Sequence, residues 1–363
     1  MENSNIMDKI TQKLKKHLKI ENFPHVTKNG KWQTTRDGYW SGGFWIGILW
    51  WMHVHTGDDL FKNEAIKWLK RLEKRKTSRT FDLGFIFYPS FILGYKITKD
   101  EQLKKVALEA ADTLLTTFNP HLNVIYDEMV QENQKVGKVL IDIMPNLKLL
   151  WWAFKETGNT KYYDIANLHA QRTIKELIRS DGSTYQGFIF DLKSNAIIKK
   201  VTFQGINTES CWSRGQAWAI LGFAMASEYT KNEEYLSVTK KLARYYLKHL
   251  PLDNKVPYYD FDVKPNPNEI RDTSAAAIAS AGLLNVYRIT KEEYYKEQAH
   301  EIIQSLYMNY FNDEMKDGFL SDGCFYLQKD WGVKESMIWG DYFFIESLIQ
   351  LIYSNQKSIK NLF

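Results

Sequence analysis

Cys211-Trp212-Ser213-Arg214-Gly215-Gln216-Ala217-Trp218 opens an apolar run that continues through Ala219-Ile220-Leu221-Gly222-Phe223-Ala224 and stops at Tyr229-Thr230-Lys231-Asn232. The run is apolar nearly all round, the pattern of a helix buried on every side. Its ending recurs. His55-Thr56-Gly57-Asp58, Ile97-Thr98-Lys99-Asp100, Glu156-Thr157-Gly158-Asn159 and Ile289-Thr290-Lys291-Glu292 repeat it, with Thr-to-Thr spacings of 42, 59, 73 and 60 residues in chain order. Gly or Lys after the Thr suits a helix C-terminus, and Asp or Asn next suits an N-cap.

Each junction separates two kinds of helix. Before it stand all-round apolar runs: Phe44 to Met52, Phe85 to Gly94, Leu147 to Phe154, Trp218 to Ala226 and Ala275 to Tyr287. After it the pattern is one-sided, as in Phe61, Ala65, Trp68, Leu69 and Leu72 set against Lys62, Glu64, Lys67 and Lys70. The first kind belongs inside a second layer made of the other. A last apolar segment, Phe343 to Tyr353, has no following partner, and an amphipathic segment near Asp8 to Leu18 has no preceding one. Pairing the two ends predicts an all-α closed ring of six helical hairpins, an (α/α)6 barrel, in one domain over residues 1–363.

In such a ring the inner helices run in one direction, so the segments that feed their N-termini gather at one end. Those segments are Asp37 to Gly43, Phe81 to Gly84, Ile141 to Asn146, the Trp212/Arg214 stretch, Arg271 to Ser274 and Trp339 to Tyr342. Each carries an acid or an aromatic. The insertions from Asn119 to Lys138 and from Ser180 to Ser210 are expected to wall the same end.

Composition narrows the chemistry. Hydrophobic residues at 44% and charged ones at 25% describe an ordinary globular chain, while 15% aromatic content hints at carbohydrate-facing surface. The net charge of +5 comes without a long basic run, which disfavours nucleic acid and leaves an anionic small substrate open. Cys211 and Cys324 form neither a disulfide framework nor a metal cluster, and no His/Asp/Glu spacing resembles a zinc site, so no metal or cofactor is expected. Met1-Glu2-Asn3-Ser4-Asn5 leads into a Lys-rich segment without an apolar signal core, and no apolar stretch reaches membrane length. The expectation is a cytoplasmic enzyme.

Asp at a helix start is ordinarily a cap or a support for neighbouring backbone, the reading given to Asp37, Asp272 and Asp341. Asp82 and Asp142 differ because each interrupts an apolar run, Thr80-Phe81-Asp82-Leu83 and Leu140-Ile141-Asp142-Ile143. Desolvation there pushes a carboxyl upward, which suits a general acid. Two such acids at one end of a barrel match the needs of sugar-cleaving chemistry. Arg214 between Trp212 and Trp218 offers a permanent cation among indoles, whose fork fits a carboxylate. Histidines are poor candidates, since His53 and His55 fall near the far end of the first inner helix and His169, His249 and His300 on outer helices.

On Trp40-Ser41-Gly42-Gly43-Phe44-Trp45, Asp82-Leu83-Gly84-Phe85, Ile141-Asp142 with Asn146-Leu147, Gln204-Gly205 with the Cys211–Trp218 stretch, and Trp339-Gly340-Asp341-Tyr342-Phe343, the chain resembles glycoside hydrolase family 88, the unsaturated glucuronyl hydrolases. The resemblance spans nearly the whole length. It implies Asp142 as general acid/base and Asp82 as its partner, with Trp40, Gln204, Trp212, Arg214 and Trp218 holding an unsaturated uronate. Trp45, Gln186, Asp341 and Tyr342, in or beside these motifs, join the expected substrate-binding set. Two positions depart from the family pattern: Phe81 stands where a His usually precedes the first Asp, and Gln186 where a second His is expected.

The implied reaction removes the terminal 4,5-unsaturated uronate from lyase-generated oligosaccharides, glycosaminoglycan fragments foremost, by hydrating the C4=C5 bond. The alternative is an unsaturated rhamnogalacturonyl hydrolase on pectin fragments. A sugar epimerase on the same barrel ranks lower, because it would want histidines at the inner-helix starts, and an open helical-repeat binding module ranks lower again. Lys329, in the aromatic segment Asp322 to Lys334 that feeds the last inner helix, is the candidate for a sulfate on the leaving sugar.

Overall fold

Each Thr that ends an apolar run closes its helix with two side-chain hydrogen bonds. In a computed structural model of the chain, Thr56 Oγ1 donates to the Met52 carbonyl at 2.7 Å and accepts from the Asp58 amide at 3.1 Å. Thr98, Thr157, Thr230 and Thr290 repeat the pair on Gly94 and Asp100, Ala153 and Asn159, Ala226 and Asn232, and Val286 and Glu292. Between the two bonds, Gly57, Lys99, Gly158, Lys231 and Lys291 adopt left-handed backbone. Asp58, Asp100, Asn159 and Asn232 then cap the next helix through its second amide, whereas Glu292 makes no cap bond. The recurrent motif is therefore a complete helix stop, turn and restart.

The structure describes residues 2–131, 133–264, 266, 268–312 and 316–363. The inner helices are Gly42–Thr56; Leu83–Phe87, continued through a π turn at Tyr88–Ile92 into Leu93–Thr98; Ile143–Asn146 with Lys148–Thr157; Ser213–Thr230; Thr273–Thr290; and Ile338–Ile352. The π turn holds Pro89, whose missing N–H removes a normal helical bond. The outer helices are Asp59–Leu72, Glu101–Leu115, Thr160–Leu177, Glu233–Lys248, Glu293–Tyr310 and, from the N-terminus, Glu2–His17. Ile338–Ile352 packs against both Gly42–Thr56 and Glu2–His17, which closes the ring. The architecture is the expected (α/α)6 barrel. Among the described residues no helix is long and apolar enough to cross a membrane.

Glycines let the inner helix starts meet. A Cβ on Gly43 would lie 2.3 Å from the Ile86 carbonyl oxygen, and one on Gly84 2.3 Å from that of Asn146. The first three inner helices thus approach backbone to backbone at the end that carries Asp82 and Asp142.

At that end the all-α expectation needs an addition. The two insertions zip into one antiparallel sheet in the order Asp127–Gln131, Gln134–Leu140, Gly187–Asp191, Ile197–Val201. Leu140 pairs with Gly187 and Lys138 with Ile189. A hairpin, Phe23–Lys28 with Lys31–Thr35, and a second, Gly323–Tyr326 with Trp331–Glu335, flank the first and last inner helix starts. These strands are short, and several mix charge with β-branched residues, as Gln134-Lys135-Val136-Gly137-Lys138 does. No period-2 pattern runs long enough to register in sequence.

Candidate active site

Four acids begin inner helices, and their oxygens meet different fates. Asp272 is buried and caps its helix by accepting from the Ser274 and Ala275 amides through Oδ1. Asp341, fully buried, accepts the Phe319 and Leu320 amides, both at 3.0 Å. Asp82 and Asp142 also occupy N-cap positions, yet neither side chain makes a cap bond. Both remain half-buried where their neighbours in sequence are buried.

The strand Gln134–Leu140 delivers Asp142: pairing with Gly187–Asp191 runs on to an Ile141 amide bond to the Gln186 carbonyl, and the chain then turns straight into Ile143–Asn146. Asn146 joins the two acids' helices. Its amide donates to the Asp142 carbonyl at 2.9 Å, and its oxygen accepts the Phe85 amide at 2.7 Å. Burial pushes Asp82 up to about 7, with the charge of nearby Asp142 adding to the rise and a Thr80 hydrogen bond opposing it. Burial likewise pushes Asp142 up to about 6, against the pull of Arg214. Asp142 Oδ2 is buried with no hydrogen-bond partner, while Asp82 Oδ2 accepts from Thr80 Oγ1 at 3.0 Å. An unpartnered buried oxygen favours the neutral acid, and an accepted hydrogen bond favours the anion. Elevation alone does not mark a reagent: Asp341 is also pushed up to about 7, with both oxygens bonded to amides.

Aromatic rings floor the site. Trp40 is half-buried and packs on Trp339, Phe85, Phe44 and Phe325, with centroids 4.6, 5.9, 6.2 and 6.3 Å away. Phe85 in turn meets Trp218 at 4.8 Å. Gln186 and Gln204 bond reciprocally: Gln186 Nε2 donates to Gln204 Oε1, and the Gln204 amide donates to Gln186 Oε1, both at 2.8 Å. Gln204 Nε2 reaches the Phe325 carbonyl at 2.6 Å, and Arg214 Nη2 reaches the same oxygen at 2.7 Å.

Residues 6–325 match the family model of Glycosyl Hydrolase Family 88. The chain belongs to this family. It is 33% identical over 344 residues to the unsaturated glucuronyl hydrolase of Bacillus sp. (strain GL1), covering 91% of each chain. It is also 33% identical over 358 residues to the unsaturated chondroitin disaccharide hydrolase of Streptococcus pneumoniae (strain ATCC BAA-255 / R6), covering 95% of this chain and 90% of the relative. The crystal structure of an unsaturated glucuronyl hydrolase specific for heparin superposes with a TM-score of 0.90 at 27% identity, over 96% of each chain.

Within this family-88 chain the expected residues divide. Asp82, Asp142, Trp40, Gln186, Gln204, Trp212, Arg214 and Trp218 gather at one end. Arg214 is corrected in kind: it is no free cation between two indoles. Its Nη1 pairs with Asp272 at 2.5 Å and with the Cys324 carbonyl at 2.6 Å, and its plane lies 4.4 Å over Trp212 alone of the two. Three further expected residues, Trp45, Asp341 and Tyr342, have their side chains engaged elsewhere. Trp45 is buried and faces outward, edge-on to Trp68 of the outer layer at 6.2 Å. Asp341 is fixed to backbone amides, and Tyr342 sends its hydroxyl to Glu346, one turn further down its helix. Lys329 is exposed on the hairpin turn, 4.6 Å over the Tyr326 ring.

Sequence reading missed two residues here. Phe325 supplies the carbonyl shared by Gln204 and Arg214. His25, placed by a strand rather than by any motif, is buried among Tyr39, Trp40, Phe325, Trp331 and Trp339, so the site end does hold a histidine. Burial lowers it to about 4, and its Nδ1 contacts Ser41 Oγ at 2.8 Å. It is neutral at ordinary pH.

Proposed function

We propose that this chain releases the terminal 4,5-unsaturated uronate from lyase-generated glycosaminoglycan-type oligosaccharides. The observation that carries the reading is the acid pair: two elevated carboxyls, free of cap bonds, beside an aromatic floor. The C4=C5 bond of the substrate is an enol ether. Asp142, its protonated form favoured by burial around Oδ2, gives its proton to C4, and positive charge develops at C5 and the ring oxygen. Water adds at C5 as the Asp142 carboxylate takes a proton from it. The resulting hemiketal opens and expels the remaining sugar. Asp82, whose Oδ2 accepts from Thr80, orients the water.

Trp40 offers indole surface to the C–H face of the uronate, while Trp218, fully buried, backs the Phe85 ring that Trp40 packs on. Gln204 and Gln186, locked to each other, supply amide polarity where the family usually has a histidine. Arg214 holds the Phe325 carbonyl and Trp212 in place, with three of its five N–H donors accounted for by Asp272, Cys324 and Phe325. Lys329 on the exposed turn is the group for a sulfate on the leaving sugar. Ring closure argues against an open binding module.

The test is a panel of unsaturated disaccharides, sulfated and unsulfated, followed by loss of double-bond absorbance. Asp142→Asn is expected to keep the fold and lose at least ~100-fold in turnover, the low end for general acid catalysis. Turnover near that of the parent protein would remove Asp142 from the proton-donor role. Preference for a rhamnose-linked pectin fragment over every glycosaminoglycan disaccharide would favour the alternative substrate class.

A further inference from the structure

Every non-glycine residue with positive φ among the described residues is Asn, Asp or Lys, except one. Tyr39 sits at φ 45°. Left-handed backbone is strained for any residue with a Cβ and most unusual for a bulky ring, and such outliers persist only where the surroundings impose them. Here they do. Asp37 Oδ1 accepts the Tyr39 amide at 3.1 Å, and its Oδ2 is held by Arg75 at 2.7 Å. The Gly38 carbonyl accepts both the Ser41 and Gly42 amides, at 3.1 and 2.6 Å. Ser41 makes no side-chain cap bond for the first inner helix, because its hydroxyl goes to His25 instead.

The strain keeps an aromatic ring in the open. Tyr39 is 47% exposed, its ring stands edge-on to buried His25 at 5.4 Å, and the next residue is Trp40 of the site floor. Partial burial and the nearby charge of Asp82 both raise its phenol above the ordinary value, so the hydroxyl remains a donor.

We propose that Tyr39 is a substrate-contacting residue of the rim, its strained turn holding the phenol ring against the sugar that leaves. Tyr39 and Trp40 both pack on His25, and Asp82 lies near the phenol, so the exposed ring borders the place of a uronate lying on Trp40 above the two acids. The ring stacks on the C–H face of the leaving sugar, and its hydroxyl is free to donate to a sugar oxygen. The assignment rests on the placement of the uronate at Asp142, Asp82 and Trp40.

Tyr39→Gly and Tyr39→Asn both accept the left-handed backbone without strain. Each variant is compared with the parent on an unsaturated disaccharide and on the methyl glycoside of the unsaturated uronate, which has no leaving sugar. For both variants Tm is expected at or above the parent value. KM for the disaccharide is expected to rise about 3–10-fold, the worth of one aromatic contact, with kcat within about 2-fold. The methyl glycoside is expected to show no change. Unchanged KM on both substrates, or equal losses on both, would overturn the proposal. Asp142→Asn assayed alongside separates the two ideas: if it retains turnover, the placement of the uronate has failed, not the role of Tyr39.

Discussion

Asp142 and Asp272 each precede an inner helix, yet their carboxyls meet opposite surroundings. Asp272 has amides and a guanidinium within bonding distance, whereas Asp142 Oδ2 has no partner. The difference has a thermodynamic sign. Burial raises Asp142 from an unfolded value near 3.8 to about 6, so the native state binds the extra proton in that window. Stability is then lost as pH rises from about 4 to about 6. Asp142→Asn carries no such loss. Its Tm relative to the parent is expected to climb between pH 4 and pH 7 by an amount equivalent to up to ~3 kcal/mol, at ~1.4 kcal/mol per pH unit. Thermal melts at the two pH values check it, and a pH-independent difference would refute the elevated acid. Arg214 carries a second prediction. Arg214→Lys keeps the charge beside Asp272 but cannot serve the Cys324 and Phe325 carbonyls as well. A loss of roughly 2–4 kcal/mol is expected, with a raised KM because Gln204 shares the Phe325 oxygen. Calorimetry and steady-state kinetics on that variant decide it. At this scale Asp82 and Asp142 were legible because a charge inside an apolar run is anomalous in the sequence itself. His25 and Tyr39 were not, since burial of a strand histidine and a positive φ leave no mark on residue order.

Some elements are legible in sequence and others are not, for a reason visible in their bonding. The Thr junctions are local: each hydroxyl bonds four residues back and two ahead, so the whole device lies within seven consecutive residues. The four-stranded sheet is not local. It pairs Gln134–Leu140 with Gly187–Asp191, across the intervening Thr160–Leu177 helix, and neither strand predicts its partner. Trp45 and Tyr342 show the related difficulty inside helices. An all-round apolar helix has no polar face to tell which side looks outward, so their motif positions promised a site that their directions do not reach. Helix contact itself supplies a sharper expectation. Gly84→Ala places a methyl group 2.3 Å from the Asn146 carbonyl and 2.4 Å from its Cα, both backbone atoms that cannot swing aside. The two acid-bearing helix starts must part. Overpacking of this kind is expected to cost about 1–3 kcal/mol, and kcat is expected to fall as well because the spacing of Asp82 and Asp142 changes. An active variant with an unshifted Tm would show that this approach is dispensable.

The molecule as a whole is a ring, and the pairing of an orphan apolar end with an orphan amphipathic start already implied closure. What residue patterns did not convey is how the loops at one end become sheets and hairpins around the site. Closure makes the last helix indispensable: a chain stopped before Ile338 leaves the apolar faces of Gly42–Thr56 and Thr273–Thr290 without their shared neighbour. Such a chain is expected to lose the cooperative thermal transition, measured by circular dichroism, and to precipitate. The same geometry sets a timetable for biosynthesis. Gly42–Thr56, with Trp45, Trp50 and Trp51 buried in the finished ring, leaves the ribosome early, while Ile338–Ile352 is still untranslated. About 300 residues separate them, so at roughly 5–20 residues per second the nascent chain carries that tryptophan-rich helix without its last neighbour for some 15–60 s. For that interval an apolar segment destined for the ring's interior is one in need of a chaperone.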